Sequence, residues 1–169
     1  QASARMVRVS SPTLRSQAMR ILLVILSLLP ALMVLGQDHP VRWSFSAEED
    51  PAGAPFVALR ADCDEGWHYY ALTLPRDDGP FPTVVSLDPS TAYEAAGPAV
   101  EPVPVEVEDP NFMMLVRYHG DDSVFRLPLK RLTKEAFTAT GGVEFMCCND
   151  RMCLPPVGVK FSVPFPAVK

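Results

Sequence analysis

Two cysteines five positions apart, Cys148 and Cys153, enclose Asn149-Asp150-Arg151-Met152 and run into Leu154-Pro155-Pro156. A pair of thiols at this spacing can cycle between dithiol and disulfide, provided that one sulfur is accessible and the other is near enough to resolve a mixed disulfide. An extended chain would hold the two sulfurs far apart, so the chemistry requires the intervening segment to fold back. Asn149 and Asp150 favour such a turn through side-chain bonds to backbone amides, and Pro155 and Pro156 stiffen its exit. Asp150 opposes thiolate formation and Arg151 favours it, so the sequence leaves the sign of the net shift open. On the pair alone, a static disulfide is as good a reading as a catalytic one.

The other two cysteines are Cys63 and Cys147. Four cysteines allow three complete pairings, and sequence separation favours Cys148 with Cys153. Cys147 faces the opposite side from Cys148 if the segment is extended, as a core thiol or as a partner for Cys63. A metal site built from Cys147, Cys148 and Cys153 with His68 or His119 is chemically conceivable but lacks a spaced four-ligand set. Met113, Met114, Met146 and Met152 read as packing residues, and His39 as exposed. Glu101, Glu106, Glu108 and Asp109 read as solvated edge or turn residues. Gly141-Gly142 has no phosphate-loop context and reads as a sharp turn.

The elements that must position the cysteines follow a leader. Residues 1–36 carry four arginines and no acid, with the apolar run Ile21–Leu35 broken only by Ser27 and Pro30. That pattern predicts a signal peptide, with Val34 and Gly36 at the small positions before a cleavage at Gln37, or a retained N-terminal anchor. The run is short against the roughly 20 residues a bilayer crossing needs. Residues 37–169 then hold 11 basic and 20 acidic residues, a formal −9. This balance argues against a nucleic-acid surface and against attachment to anionic lipid. One domain with its own core is expected over 37–169.

Within it the chain reads as short strands broken by proline, glycine and acidic turns. Val41, Trp43, Phe45 and Ala47 alternate along one strand, and Val57, Leu59, Ala61 and Cys63 along the next. Asp64-Glu65-Gly66 is a turn before Trp67–Leu74, and Pro82–Leu87 follows. Val103, Val105 and Val107 predict an edge strand, because Pro102 and Pro104 cannot donate ladder hydrogen bonds. Phe112–Tyr118 and Val124–Leu132 flank a hairpin-like break at 119–122; Thr133–Thr138 reads as one helical turn, and 142–148 and 159–165 close the series. The pattern predicts an all-β, immunoglobulin-like antiparallel β-sandwich, a fold that implies no function by itself.

Gly66-Trp67-His68-Tyr69-Tyr70, Gly79-Pro80-Phe81-Pro82-Thr83, Asp109-Pro110-Asn111-Phe112, Gly142-Val143-Glu144-Phe145 and Cys148-Asn149-Asp150 with Cys153-Leu154-Pro155-Pro156 occur in this order. Together they resemble the N-terminal periplasmic domain of the DsbD thiol:disulfide interchange family, across most of 41–165. The resemblance implies that Cys148 and Cys153 are the exchanging pair, Cys153 attacking a partner disulfide and Cys148 resolving. It implies that Tyr70 and His68 lie beside the site, the latter where some relatives have tyrosine. It further implies that Asn111 and Phe112 lie in a shielding loop, with Asn149, Asp150 and Pro155 shaping the cysteine turn. Some relatives have a longer separation between the two cysteines, which would alter turn geometry, potential and partner choice.

The expected activity is protein-disulfide reduction in the periplasm, after export and with or without a tether to the inner membrane. Electrons would come from a membrane-embedded or thioredoxin-like redox partner and pass to disulfide-bearing proteins. No organic cofactor is implied, because two sulfurs carry both electrons, and no small-molecule substrate or metal is expected. The competing reading is an exported immunoglobulin-like interaction module whose Cys148–Cys153 bond is purely structural.

Overall fold

A computed structural model describes residues 39–120 and 122–168; the expected leader lies outside the described residues. Eleven strands and no helix occur among them. Every strand pairing is antiparallel, and the strands form three hydrogen-bonded sheets.

The first sheet is ordered β1 (Val41–Glu49), β2 (Pro55–Cys63), β8 (Ser123–Arg131), β5 (Tyr93–Ala95). The second is ordered β11 (Val157–Phe165), β9 (Phe137–Phe145), β4 (Val84–Leu87). Their inward residues make the main core, among them Val57, Leu59, Ala61, Phe125, Leu127, Val143, Phe145, Phe161 and Val163. The alternation read in β1 is present: Val41 is buried, Trp43, Phe45 and Ala47 are half-buried, and Arg42, Ser44 and Ser46 are exposed. This two-residue period is the signature of a strand with one face on a core. The all-β antiparallel sandwich of immunoglobulin type is therefore the fold of the chain.

The third sheet carries the cysteines. Its order is β10 (Cys147–Cys148), β3 (His68–Tyr70), β7 (Met114–His119), β6 (Val105–Asp109), which places β6 at an open edge. Pro102, Val103 and Pro104 precede the strand, so Val103, expected within it, is not part of it. Gly66, at φ 81°, makes the turn that delivers the chain into β3, with the Trp67 N–H donating to Asp64 O at 3.0 Å.

Several local expectations are corrected. Residues 119–122 are not a hairpin: β7 belongs to the third sheet and β8 to the first, so the break carries the chain between sheets. Thr133–Thr138 forms no helical turn; bends at Leu132, Lys134 and Glu135 lead into β9 at Phe137. The paired glycines 141 and 142 lie inside β9 and make no turn. A Cβ on Gly141 would lie 2.5 Å from the Phe161 ring and closer still to the Ser86 carbonyl, so glycine there lets two strands and an aromatic ring meet. Strand Trp67–Leu74 shrinks to β3, and Pro82–Leu87 shrinks to β4.

Candidate functional site

The register of the third sheet determines what faces the disulfide. Cys148 pairs with His68, Tyr70 with Tyr118, Tyr118 with Val105, Val107 with Val116, and Asp109 with Met114. Directly opposed residues of an antiparallel pair share a face, so all of these lie on one side. The intervening residues Cys147, Tyr69 and His119 take the other side, where Cys147 and Tyr69 join the main core. The site side has a small apolar cluster of its own: Tyr70, Met114, Val116 and Cys148 are buried, with Phe112, Tyr118 and Cys153 packed against them.

Cys148 and Cys153 are joined by a disulfide, with their Cα atoms 4.0 Å apart. Asn149 makes the turn that allows this. Its Oδ1 accepts the N–H groups of Arg151 and Met152, both at 2.9 Å, and its own N–H donates to Met152 O at 2.9 Å. The Leu154 N–H then donates to Cys147 O at 2.9 Å, closing the loop just before Pro155 and Pro156, both exposed. Asp150 is exposed; the amides it was expected to hold belong to Asn149. The two cysteines differ in burial, Cys148 being fully buried and Cys153 half-exposed.

The Tyr70 hydroxyl lies 3.1 Å from Cys148 Sγ and 2.8 Å from Asp109 Oδ2, able to donate its single proton to either. Burial, and then the bond to Asp109, push the phenol well above its ordinary pKa, so it stays a proton donor. Asp109 is the residue that the sequence reading misplaced: it is 2% exposed, not solvated. Its Oδ1 accepts the N–H groups of Asn111 at 2.7 Å and Phe112 at 3.3 Å, and its carbonyl accepts that of Met113 at 2.7 Å. Those bonds satisfy a buried carboxylate and shape the strap that follows β6. The strap returns to the cysteine turn through Asn111 Nδ2, which donates to Asn149 O at 3.2 Å. Phe112 sets its ring at 88° to that of Tyr70, with centroids 6.0 Å apart.

His68 lies between Tyr70 and Tyr118, with ring centroids 5.5 and 4.6 Å away. Its Nε2 is 3.7 Å from Asp109 Oδ2, a loose polar contact without a hydrogen bond. Burial draws the imidazole below its ordinary pKa against the opposing pull of Asp109 and Asp150, leaving it neutral near pH 7. The structure thus brings Cys148, Cys153, Tyr70, His68, Phe112 and Asn149 together and adds Asp109. The signal for Asp109 was present in the Asp109-Pro110-Asn111-Phe112 match; reading its charge as a mark of solvation obscured it.

The remaining thiols are free. Cys147 is buried and Cys63 half-buried, and burial pushes their thiols up to about 11 and about 12 respectively. His39 is half-buried, correcting its expected exposure, with Nε2 3.8 Å from Cys147 Sγ. Glu101 is likewise not solvated: its Oε2 lies 3.1 Å from His119 Nε2 and accepts the Leu72 N–H at 2.8 Å. Among the described residues no cluster of three or more histidine, cysteine or acidic side chains has metal-binding geometry.

A disulfide closing a four-residue loop, with one cysteine partly exposed and the other against a phenol, on an all-antiparallel sandwich, defines a thiol–disulfide exchange domain of immunoglobulin-like fold. Residues 37–164 match the family described as "Thiol:disulfide interchange protein DsbD, N-terminal", and the chain belongs to it. Its fold is similar to that of the Neisseria meningitidis DsbD N-terminal domain in the reduced form, at 18% identity and TM-score 0.53 over 76% of this chain and 87% of that one. The N-terminal periplasmic domain of ScsB from Proteus mirabilis aligns at 16% identity and TM-score 0.46, over 75% of this chain and 47% of that one. No curated protein matches the chain. The protein is a periplasmic thiol–disulfide oxidoreductase domain, and its family works between periplasmic disulfide proteins and a membrane-linked redox partner.

Proposed function

We propose that Cys153 and Cys148 pass electrons from a membrane-embedded or thioredoxin-like donor to the disulfides of periplasmic proteins. The observation that carries this reading is the asymmetry of the pair: Cys153 is half-exposed, whereas Cys148 is buried under the Tyr70 hydroxyl. In the reduced domain the Cys153 thiolate attacks one sulfur of the partner's disulfide. A mixed disulfide forms and the partner's second sulfur leaves as a thiolate that takes up a proton. Cys148 then attacks Cys153 Sγ, expelling the partner's first sulfur and restoring the Cys148–Cys153 bond. Two electrons have passed to the partner, and the donor returns them by the same exchange in reverse.

Tyr70 and Asp109 give Cys148 a route for its proton. As the Cys148 thiol ionises, the Tyr70 oxygen takes its proton while the Tyr70 proton moves to Asp109, so the phenol is never left charged. The 3.1 and 2.8 Å separations suit such a paired transfer. Phe112 and Asn111 hold the strap over the pair, to be displaced by a docking partner. His68 fills the space beside Tyr70 and keeps water from Asp109, while Asn149 and Pro155 fix the loop and Asp150 faces outward at its tip. The domain is read as 37–169, behind a leader of 1–36 that is either removed or retained as a membrane tether.

The test is a redox titration of the folded protein in graded thiol/disulfide buffers, with free cysteines alkylated and mapped by mass spectrometry. Reversible two-electron titration confined to Cys148 and Cys153, with the fold retained, is expected. If the bond opens only when the domain unfolds, the pair is structural and the protein is an interaction module.

A further inference from the structure

Beside the disulfide, on the same face of the third sheet, lies an open groove of about 300 Å³. His68 and Tyr118 bring aromatic rings to it, and Gly66, Trp67, Val105, Gly120 and Asp150 complete its lining. Its place is fixed by register. His68 is paired with Cys148, and Asp150 lies two residues beyond Cys148 in the loop the disulfide closes. An extended partner segment whose cystine reaches Cys153 therefore has a neighbouring side chain directed at this groove.

The groove's chemistry favours one class of side chain. His68 and Tyr118 offer aromatic rings, Asp150 offers a carboxylate, and among the described residues no lysine or arginine lines it. Its one basic residue, His68, is held neutral by burial and repels no cation. Aromatic faces and an exposed carboxylate together attract a guanidinium or ammonium group. The excess of acidic over basic residues in 37–169, 20 against 11, adds steering at longer range. Resting on the exchange reading above, we propose that this groove seats a lysine or arginine next to the reactive cystine of the partner protein, so that the domain selects disulfides flanked by a basic residue. An acidic neighbour in the partner would face Asp150 and be disfavoured.

The experiment compares two synthetic peptides, each with one intramolecular cystine, identical except for Lys or Gln beside a half-cystine. Second-order reduction by the reduced protein is followed by thiol trapping and mass spectrometry at low and high ionic strength. The Lys peptide is expected to react about tenfold faster at low salt, an advantage that salt diminishes. Asp150→Asn, an isosteric change at an exposed position, and Tyr118→Leu should each reduce the ratio to about threefold or less. Equal rates for both peptides, or a ratio unchanged in both variants, would overturn the proposal while leaving the exchange reading intact. Failure to reduce either peptide would sink the exchange reading and this proposal with it.

Discussion

The two sides of the third sheet present nearly the same chemical inventory. The site side has Cys148, Tyr70, His68 and Asp109; the core side has Cys147, Tyr69 and His119, with Glu101 beside them. Consecutive residues supply both sets, because a strand turns alternate side chains to opposite faces. What separates them is partnership and access. On the core side the cysteine is a free thiol sealed under aromatic rings, and the acid ties His119 to the backbone of Leu72. On the site side the cysteine is bonded to a half-exposed cysteine across a loop, and the acid is joined to it through a single phenol. Residue type does not distinguish the two sides; a second cysteine to bond with, and a phenol bridging the first cysteine to an acid, do.

The strongest way to break this comparison is to remove each cysteine in turn. Cys153→Ser should abolish exchange. Cys148→Ser should leave Cys153 able to attack but nothing to resolve the product, so mixed disulfides accumulate on non-reducing gels. Cys147→Ala should keep full exchange and cost only about 1–2 kcal/mol in a urea melt. Loss of exchange in Cys147→Ala would mean that the two sides are not separate.

The acids come next. Asp109→Asn should slow substrate reduction about a hundredfold by removing the proton acceptor, and should alter the pH–rate profile. Glu101→Gln should leave the rate alone and lower stability by about 1–3 kcal/mol, since the charge-assisted bonds to His119 and Leu72 weaken. For the phenols, Tyr70→Phe breaks the path to Asp109 and should slow exchange by about as much, about a hundredfold, and Tyr69→Phe should not change it. Burial holds the Tyr69 hydroxyl protonated, and Tyr69 lies on the core side of the sheet, opposite Cys147 and not Cys148. Equal effects of Tyr70→Phe and Tyr69→Phe on the rate would remove the phenol from the mechanism.

The smallest effect concerns alkaline pH. Burial raises Cys147 to about 11, above the ordinary thiol value of about 8.5. The folded state therefore holds that proton more tightly than the unfolded chain does. The linked stability is complete below the unfolded value and is lost as pH climbs from there through about 11. Cys147→Ala should flatten this part of a stability–pH curve measured by denaturant melts, while leaving the redox titration of Cys148 and Cys153 in place.

Much of this arrangement is legible in the sequence because it follows from a period of two. The alternation of Val41, Trp43, Phe45 and Ala47, the opposite facing of Cys147 and Cys148, and the edge position of Val105 and Val107 need only strand geometry and the rules for proline. What escaped depends on contacts distant in sequence. Asp109 meets Tyr70 from 39 residues away, and Glu101 meets His119 from 18. No local pattern shows that a charge in an acidic, proline-rich stretch will be buried with partners. The 119–122 break was visible as a break, yet which sheet the next strand joins depends on pairing with β2, far earlier in the chain. Gly141 was read as a turn because its reason for being glycine, the approach of Ser86 and Phe161, lies on other strands.

The open edge at β6 has a consequence for how the molecule behaves in a crowded compartment. A bare sheet edge is a template for unwanted strand addition, and this one lies across the sheet from β10, the strand that carries Cys148. Its approach is interrupted by Pro102 and Pro104, which offer no N–H, and the strand itself bears Glu106 and Glu108, both exposed. Two copies meeting edge to edge would oppose carboxylate to carboxylate. The acidity of this strand thus opposes the pairing of two copies through this edge.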